Sequence, residues 1–286
     1  MRVFSIGRLL FALGLIGIGV LSIFSGDFPY TWEPVPDWVA GRALLAHLSG
    51  ILLVAGCAGI LIKRAAFSAA LFMTIFLLGW VVVLQGSRVA QAPMNIGMWL
   101  GAAESTLLFT GSWILFAYVA NPDLRARMTF LTSERGMRLA RIFFGVACLL
   151  LGASHFVYTA ATAGMVPAWL PTHTGFAYLT GAGHFAAGLG ILFGVLPRLA
   201  ATMEACMISL FVLLVHIPGA IAEPTSRLQW TMVFIATAYA GADWIVASSL
   251  RETSWGWSRT SEPRSSGPRS SESHPTLTVV RPPEQI

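Results

Sequence analysis

The chain has 286 residues, of which 56% are hydrophobic and 11% charged, and its mean hydropathy is +0.71. A soluble domain of this length cannot bury so much apolar surface, so the composition predicts an integral membrane protein. The formal net charge of +5 does not indicate nucleic-acid binding, because the basic residues are scattered between apolar segments.

Eight apolar segments follow one another along the chain, and each is long enough to cross a hydrocarbon core about 30 Å thick at about 1.5 Å per residue. They lie at residues 4–24, 42–62, 65–84, 97–119, 142–162, 175–195, 199–217 and 230–250. The first follows Arg2 as a signal peptide would, but no A-x-A cleavage site comes after it, so we expect a retained helix. The predicted fold is all-α, a polytopic membrane protein with eight transmembrane helices and both ends on one side.

Short segments of the first half recur in the second. Arg8 in the first span matches Arg141 in the fifth, and the V-P-x-W motif at 35–38 matches the one at 166–169. Because each half has an even number of spans, the pattern predicts two parallel four-helix repeats. The predicted domains are residues 1–120, a basic linker at 121–140, a second unit at 141–250 and a tail at 251–286.

The linker and the tail are the two polar parts of the chain. Apolar residues at 124, 128 and 131 indicate a short helix on the membrane surface, although a plain basic linker explains the segment equally well. The tail is rich in Ser, Pro, Arg and Glu and has little to bury, so we expect disorder, with Trp255 and Trp257 resting on the headgroups.

Lys and Arg are distributed unequally between the two sides. One side carries both ends and most of the basic residues, whereas the other holds only Arg42, Arg88 and Arg227. The positive-inside rule therefore predicts a bacterial-type plasma membrane protein with cytoplasmic termini. The loops on the other side contain Trp32, Trp38 and Trp169 among prolines, which is typical of segments at the membrane interface.

The cysteines carry no recognisable chemistry. Cys57, Cys148 and Cys206 make no metal-binding or redox spacing, and each lies inside an apolar segment. We expect them to be packing residues.

Ionisable residues inside the spans are the candidates for chemistry, because a charged group at mid-bilayer costs at least about 2.5 kcal/mol. The first unit holds His47 and Glu104, and the second holds more. The second unit's residues are His155, His184, Glu204, His216 and Asp243. Any site is therefore expected in the second unit or between the units.

The three histidines of the second unit are predicted to line one half of its bundle. His184 shares a helix face with Gly181 and Gly188, where other backbones approach closely, so it should point inward. The candidates for a cavity or quinone site are His155, His184, His216, Tyr158 and Trp169. No two histidines have a local ligand spacing, so no metal site is predicted; a quinone or small-molecule pocket and plain structural histidines remain alternatives.

Glu204 and Asp243 form a second candidate group at similar depths in the seventh and eighth spans. Arg141 and Arg198 open spans near the same level, so they are expected to neutralise the carboxylates. The group is either a set of structural ion pairs or a proton path, and Glu104 and His47 are its candidates in the first unit.

Motifs of the second half resemble the DoxX-like family of membrane proteins. They are Arg141, His155-Phe156, Val166-Pro-Ala-Trp-Leu-Pro171, the glycine-rich stretch 181–190, Arg198-Leu-Ala-Ala201 and His216-Ile-Pro218. The resemblance is good over 141–247 and weak over 8–117. It implies a four-helix unit, so the chain is expected to hold two DoxX-like repeats. Relatives often carry a glutamate at the place of His184.

The resemblance also implies a function, because better understood members take part in quinone-linked sulfur oxidation or in membrane redox complexes. The expected role is a subunit of a quinone-linked oxidoreductase, or the membrane anchor of a soluble redox partner. A quinone is the candidate cofactor, and no catalytic residue is assigned. The alternatives are a small-solute transporter and a structural membrane subunit without catalysis.

Overall fold

The structure is a computed structural model that describes residues 2–30, 32–253 and 255. Of the described residues, 81% are helical, and none lies in a strand. The predicted disorder of residues 256–286 and the predicted place of Trp257 lie outside the described residues. An all-α fold is confirmed.

In the described part of the chain, eight helical segments are long and apolar enough to cross a membrane, which confirms all eight predicted spans. They are Phe4–Ser25, Arg42–Leu61, Ala66–Gln91, Ile96–Val119, Glu134–Val157, His173–Phe193, Pro197–Ala222 and Arg227–Ser249. The largest difference is in the fifth, which begins at Glu134 instead of residue 142. Ser133 starts this helix because its side chain accepts a hydrogen bond from the backbone N–H of Gly136.

We number the helices in chain order. They are α1 Arg2–Ser25, α2 Arg42–Leu61, α3 Ala66–Gly79, α4 Gly86–Gln91, α5 Ile96–Val119, α6 Pro122–Arg127, α7 Thr129–Thr132, α8 Glu134–Val157, α9 Thr159–Met165, α10 His173–Phe193, α11 Pro197–Phe211, α12 Ile217–Ala222 and α13 Arg227–Ser249. We call the side where α1 begins and α13 ends the terminal face, and the other side the opposite face.

The third and seventh spans each contain a wide helical turn. Trp80–Gln85 joins α3 to α4 in π-helical form, and Val212–His216 joins α11 to α12 in the same way. Pro218 follows the second turn and has no N–H to continue an α-helical ladder. Both spans therefore extend beyond their predicted ends at 84 and 217.

Helices α5 and α13 form the centre of the bundle and pack against each other. In their apolar stretches 78% and 72% of the residues are buried, more than in any other span. Helix α1 packs against α2 and α13, while α8 packs against α10 and α5. This pairing is the one that a duplicated unit would produce, but the duplication itself stays a prediction.

Helices α8 and α10 approach each other through glycines. A Cβ added at Gly188 would lie 2.7 Å from the carbonyl oxygen of Gly145, and one at Gly181 would lie 2.9 Å from the Cβ of His155. Close backbone contact of this kind is the usual packing of helices in a bilayer. The glycine face of α10 therefore points inward, as its spacing predicts.

The linker forms two short helices instead of an irregular segment. Asn121 begins α6 because its side chain accepts from the N–H of Leu124. Arg125 donates to the carbonyl oxygens of Ala117 and Ala120, which satisfies the end of α5. The linker ends at Ser133, seven residues before its predicted end at 140.

The tryptophans of the loops do not behave alike. Trp38 and Trp169 are 84% and 70% exposed, in agreement with an interfacial position. Trp32 is only 5% exposed, so the prediction that it lies at the interface is wrong. The loop between α1 and α2 folds into the bundle and carries this indole inward.

Asp27 fastens that loop to two helix ends. Its carboxylate pairs with Arg42 at the start of α2 and, at 3.3 Å, with Arg227 at the start of α13. Partial burial acts to raise the pKa of Asp27, but the N–H of Phe28 and the two guanidinium groups lower it below the ordinary value. The carboxylate therefore stays charged and holds the loop near neutral pH.

Candidate functional site

A histidine and a glutamate form a buried pair between α10 and α11. Nδ1 of His184 lies 2.6 Å from Oε1 of Glu204, and their side chains are 1% and 0% exposed. A neutral imidazole presents one N–H, which donates here to the carboxylate and fixes the ring orientation. Nε2 of His184 and Oε2 of Glu204 have no hydrogen-bond partner among the described residues.

His155 of α8 stands beside this pair. Its ring centre is 4.8 Å from that of His184, and the ring of Phe211 meets His184 from the other side. Nδ1 of His155 lies 2.9 Å from the carbonyl oxygen of Leu151, which leaves Nε2 for another partner. Two of the three predicted histidines are therefore brought together.

Asp243 of α13 completes the buried group. It is 0% exposed, and neither of its carboxylate oxygens has a partner among the described residues. Its carboxyl group interacts electrostatically with that of Glu204. The predicted association of Glu204 with Asp243 is thus seen, together with a histidine that was not expected to join it.

The two arginines expected to neutralise these carboxylates do not reach them. Arg141 pairs with Glu134 at 2.6 Å and donates to Ser249. Arg198 donates to the carbonyl oxygen of Arg251 and stacks over the ring of Trp255 at 3.9 Å. Both guanidinium groups remain at the terminal face because water and helix ends solvate them there, so that expectation is wrong.

The remaining candidates lie apart from the pair. Tyr158 is 39% exposed and donates to Asn95 at 3.3 Å, while Trp169 stands on the surface. His216 is half-buried in the second π-helical turn, and among the described residues its ring makes no contact with the two paired histidines. Nδ1 of His47 lies 2.6 Å from the carbonyl oxygen of Ala43 in its own helix. We therefore leave all four out of the site.

A second buried polar cluster lies in the first half, and its main residue was not predicted. Glu33 is 4% exposed and accepts from the hydroxyl of Ser49 at 2.6 Å. The indole of Trp80 is close to its carboxylate, and Gln85 donates to the carbonyl oxygen of Trp32 at 3.3 Å. The sequence does not single out Glu33, because one acidic side chain among prolines gives no sign of burial.

Glu33 should make stability depend on pH. Burial raises its pKa from 4.5 to about 7, against the hydrogen bond from Ser49 and the nearby indole of Trp80. A raised carboxyl pKa contributes stability that is complete below about pH 4.5 and is lost as the pH rises through about 7. We expect the unfolding temperature in detergent to fall between pH 5 and pH 8, through a loss approaching about 3 kcal/mol at about 1.4 kcal/mol per pKa unit.

Glu33→Gln should remove that part of the pH dependence, and Glu223→Gln, an exposed change on the same face, should leave it intact. A Glu33→Gln variant whose unfolding temperature follows the same pH curve as the parent would show that the buried carboxyl does not titrate in this range.

A depression of about 340 Å³ opens on the opposite face. Its lining residues are Tyr30, Pro34, Val35, Pro36, Asp37, Ser87, Arg88 and Gln91. The first five belong to the loop that buries Trp32 and Glu33. The depression is therefore next to the first-half cluster and distant along the chain from the paired histidines.

The donor set around His184 fits a quinone better than a metal. No group of three or more His, Cys, Asp or Glu side chains among the described residues is arranged to hold a metal ion. Because the Nδ1 proton points to Glu204, Nε2 of a neutral His184 is an acceptor with no partner among the described residues, next to a second imidazole, and it suits the hydroxyl group of a reduced quinone.

The fold and the paired side chains define a polytopic helical membrane protein with a buried histidine–carboxylate site. Residues 136–217 match the family model of DoxX. This segment of the chain is therefore similar to DoxX, which confirms the predicted resemblance over these residues and supports an integral membrane protein. The match includes His155, His184, Glu204 and His216, and it leaves out Asp243 and the first half. Searches of curated proteins and of solved structures found no match.

Proposed function

We propose that this protein is a quinone-linked component of a membrane redox system. In this proposal His155, His184 and Glu204 bind the quinone head group and exchange protons with it. The observation that carries the proposal is the buried hydrogen bond of 2.6 Å between His184 and Glu204, with His155 stacked beside it. A bound quinone supplies the redox chemistry, since it takes up and releases both electrons and protons.

The site has a lateral approach from the bilayer. Phe156 and Tyr178 are 40% and 49% exposed on the lipid-facing surface next to His155. Their rings stack with centres 5.9 Å apart, and Phe156 also contacts Phe185 at 5.6 Å. Aromatic side chains of this kind pack well against a planar head group. A membrane-soluble ligand therefore reaches His155 without passing through water.

Glu204 holds the proton of the neutral His184 imidazole on Nδ1. Glu204 accepts from Nδ1 of His184, so Nε2 is the atom that exchanges a proton with a ligand. His155 lies on the bilayer side of His184 and offers its own Nε2 to the same ligand. The carboxylate balances the positive charge that a second proton brings to the imidazole.

The electron donor in this proposal is a soluble redox protein at the terminal face. Basic residues of that face include Arg125, Arg127 and Arg138, which favour a cytoplasmic position by the positive-inside rule. An impermeant maleimide should therefore label Thr174→Cys in intact cells, and Lys63→Cys only after lysis. The reverse pattern would invert the orientation.

The binding test uses purified protein in lipid nanodiscs loaded with ubiquinone. We expect His184→Gln to keep the fold and to lower quinone occupancy about tenfold, the effect of one lost interaction of about 1.4 kcal/mol. His47→Gln is the matched control, because this histidine bonds only to its own helix among the described residues, and it should bind as the parent does.

Equal quinone occupancy in the parent and His184→Gln would remove the site from this function. Protein that binds no quinone but takes up a solute when reconstituted would favour the transporter alternative. Protein that does neither would favour a structural subunit.

A further inference from the structure

We propose that a proton half-channel runs from the loop on the opposite face, through the boundary between the two halves, to the His184–Glu204 pair. Its proton-carrying groups are Glu33, Glu104, Tyr239 and Asp243, joined by buried water, and the indole of Trp32 lies among them as a hydrogen-bond donor only. The route ends at the site of the proposed function, but its test uses no quinone, so either proposal can fail alone.

The entrance lies under the loop between α1 and α2. Oε2 of Glu33 and the indole N–H groups of Trp32 and Trp80 are buried without a partner in the described part of the chain. Buried polar groups nearly always find a partner, and ordered water supplies it where protein does not. The depression of about 340 Å³, lined in part by Pro34 and Tyr30, places solvent beside this cluster.

Helices α5 and α13 carry the route inward. Glu104 of α5 interacts with the indole of Trp32, and Tyr239 of α13 interacts with both of these groups. The Tyr239 side chain is 7% exposed, and its hydroxyl has no partner among the described residues. A phenol hydroxyl both donates and accepts, so Tyr239 can pass a proton between neighbours on either side.

Asp243 continues the route toward the histidines. It follows Tyr239 by four residues and therefore lies on the same face of α13, one turn closer to the terminal face. Its carboxyl group interacts with that of Glu204, which holds His184. These groups therefore follow one another from the loop toward the imidazole.

Depth along the helices agrees with that order. At about 1.5 Å per residue, Glu104 lies about 12 Å below the start of α5 at the opposite face. Tyr239 and Asp243 lie about 18 and 24 Å below the start of α13 on the same scale. The groups therefore descend step by step instead of gathering at one level.

The terminal face closes the route with apolar packing. Ala140 and Phe144 of α8, Ala201 of α11 and Ala247 of α13 are all at most 6% exposed and belong to the main core. In our proposal the route opens toward the opposite face only, which is why we describe it as a half-channel.

Cys148 provides a native reporter at the inner end. It is 0% exposed and interacts electrostatically with both Glu204 and Asp243. Cys57 is equally buried but lies in the apolar core of the first half. Infrared spectroscopy resolves S–H from S–D stretching, so the exchange of each thiol with D₂O can be followed in lipid. All variants carry Cys206→Ala, which removes the third thiol. The additional single substitutions Cys57→Ala and Cys148→Ala assign the two remaining S–H bands.

We expect the Cys148 thiol to exchange at least about tenfold faster than the Cys57 thiol, since local access to water determines exchange. The substitution Tyr239→Phe should slow the exchange of the Cys148 thiol about tenfold and leave the exchange of the Cys57 thiol unchanged, because exchange depends on local access to water. The variant should fold, because it removes a hydroxyl that has no partner in the described chain. The substitution Glu104→Gln should also slow the exchange of the Cys148 thiol.

Tyr118→Phe is the matched control, because this half-buried tyrosine of α5 packs against the ring of Phe4, away from the route. It should leave both thiols unchanged. Exchange of Cys148 no faster than that of Cys57, or equal exchange in the parent and Tyr239→Phe, would overturn the half-channel even if quinone binds at His184.

Discussion

Gly188→Leu should abolish the folded protein in detergent. A Cβ at this position would already lie 2.7 Å from the carbonyl oxygen of Gly145 and 2.8 Å from the side chain of Leu149. Leucine adds three more carbons to that contact, so α8 and α10 must separate. The separation would also pull His155 away from His184. Overpacking of a close interface costs at least about 1–3 kcal/mol, and backbone contacts cannot yield as side chains do.

The matched control is Gly79→Leu, the same change at a helical glycine where an added Cβ meets nothing within 4 Å. It should give a monodisperse peak in size-exclusion chromatography and a parent-like unfolding temperature. If Gly188→Leu elutes and melts like Gly79→Leu, the packing of α8 against α10 is not as close as the structure has it.

The second large effect concerns the buried pair of His184 and Glu204. A variant that keeps only one of the two side chains should be less stable than a variant that lacks both. Glu204→Leu leaves the imidazole of His184 without its acceptor in an apolar site. Leaving a buried hydrogen-bonding group without its partner costs about 1–3 kcal/mol, whereas replacing both partners with apolar groups can be nearly neutral. We expect Glu204→Leu to be strongly destabilised and the double variant His184→Leu with Glu204→Leu to regain most of that loss.

A double-mutant cycle of unfolding free energies in detergent measures this coupling. The two single variants and the double variant are compared with the parent under one condition. Strictly additive losses, with the double variant the least stable of all, would mean that the two side chains do not act as a pair.

Periodicity and hydropathy were enough to predict the eight spans and the inward face of α10. Both are local properties, since twenty apolar residues must cross a bilayer as a helix and residues three and seven apart must share its face. For the same reason the sequence predicts that Gly181, His184 and Gly188 lie together. Helix ends were less certain, because Ser133 and the π-helical turns act through hydrogen bonds that hydropathy does not report.

The partners of the buried groups were decided only by the tertiary structure. Depth along a span gives the level of Glu204 but not its direction around the bundle, so the sequence pointed to arginines at a similar level as its partners. The fold turned Glu204 toward His184 and left Arg141 and Arg198 at the surface.

The burial of Glu33 and the position of Tyr239 between the two halves also depend on the fold alone. No local pattern marks a loop that folds into a bundle, or a tyrosine that interacts with both Glu104 and Asp243. The sequence by itself determined that this chain spans the membrane and which helix faces are small or polar. Which of those faces meet was left to packing, because contacts between distant helices are set by the shapes of all their neighbours together.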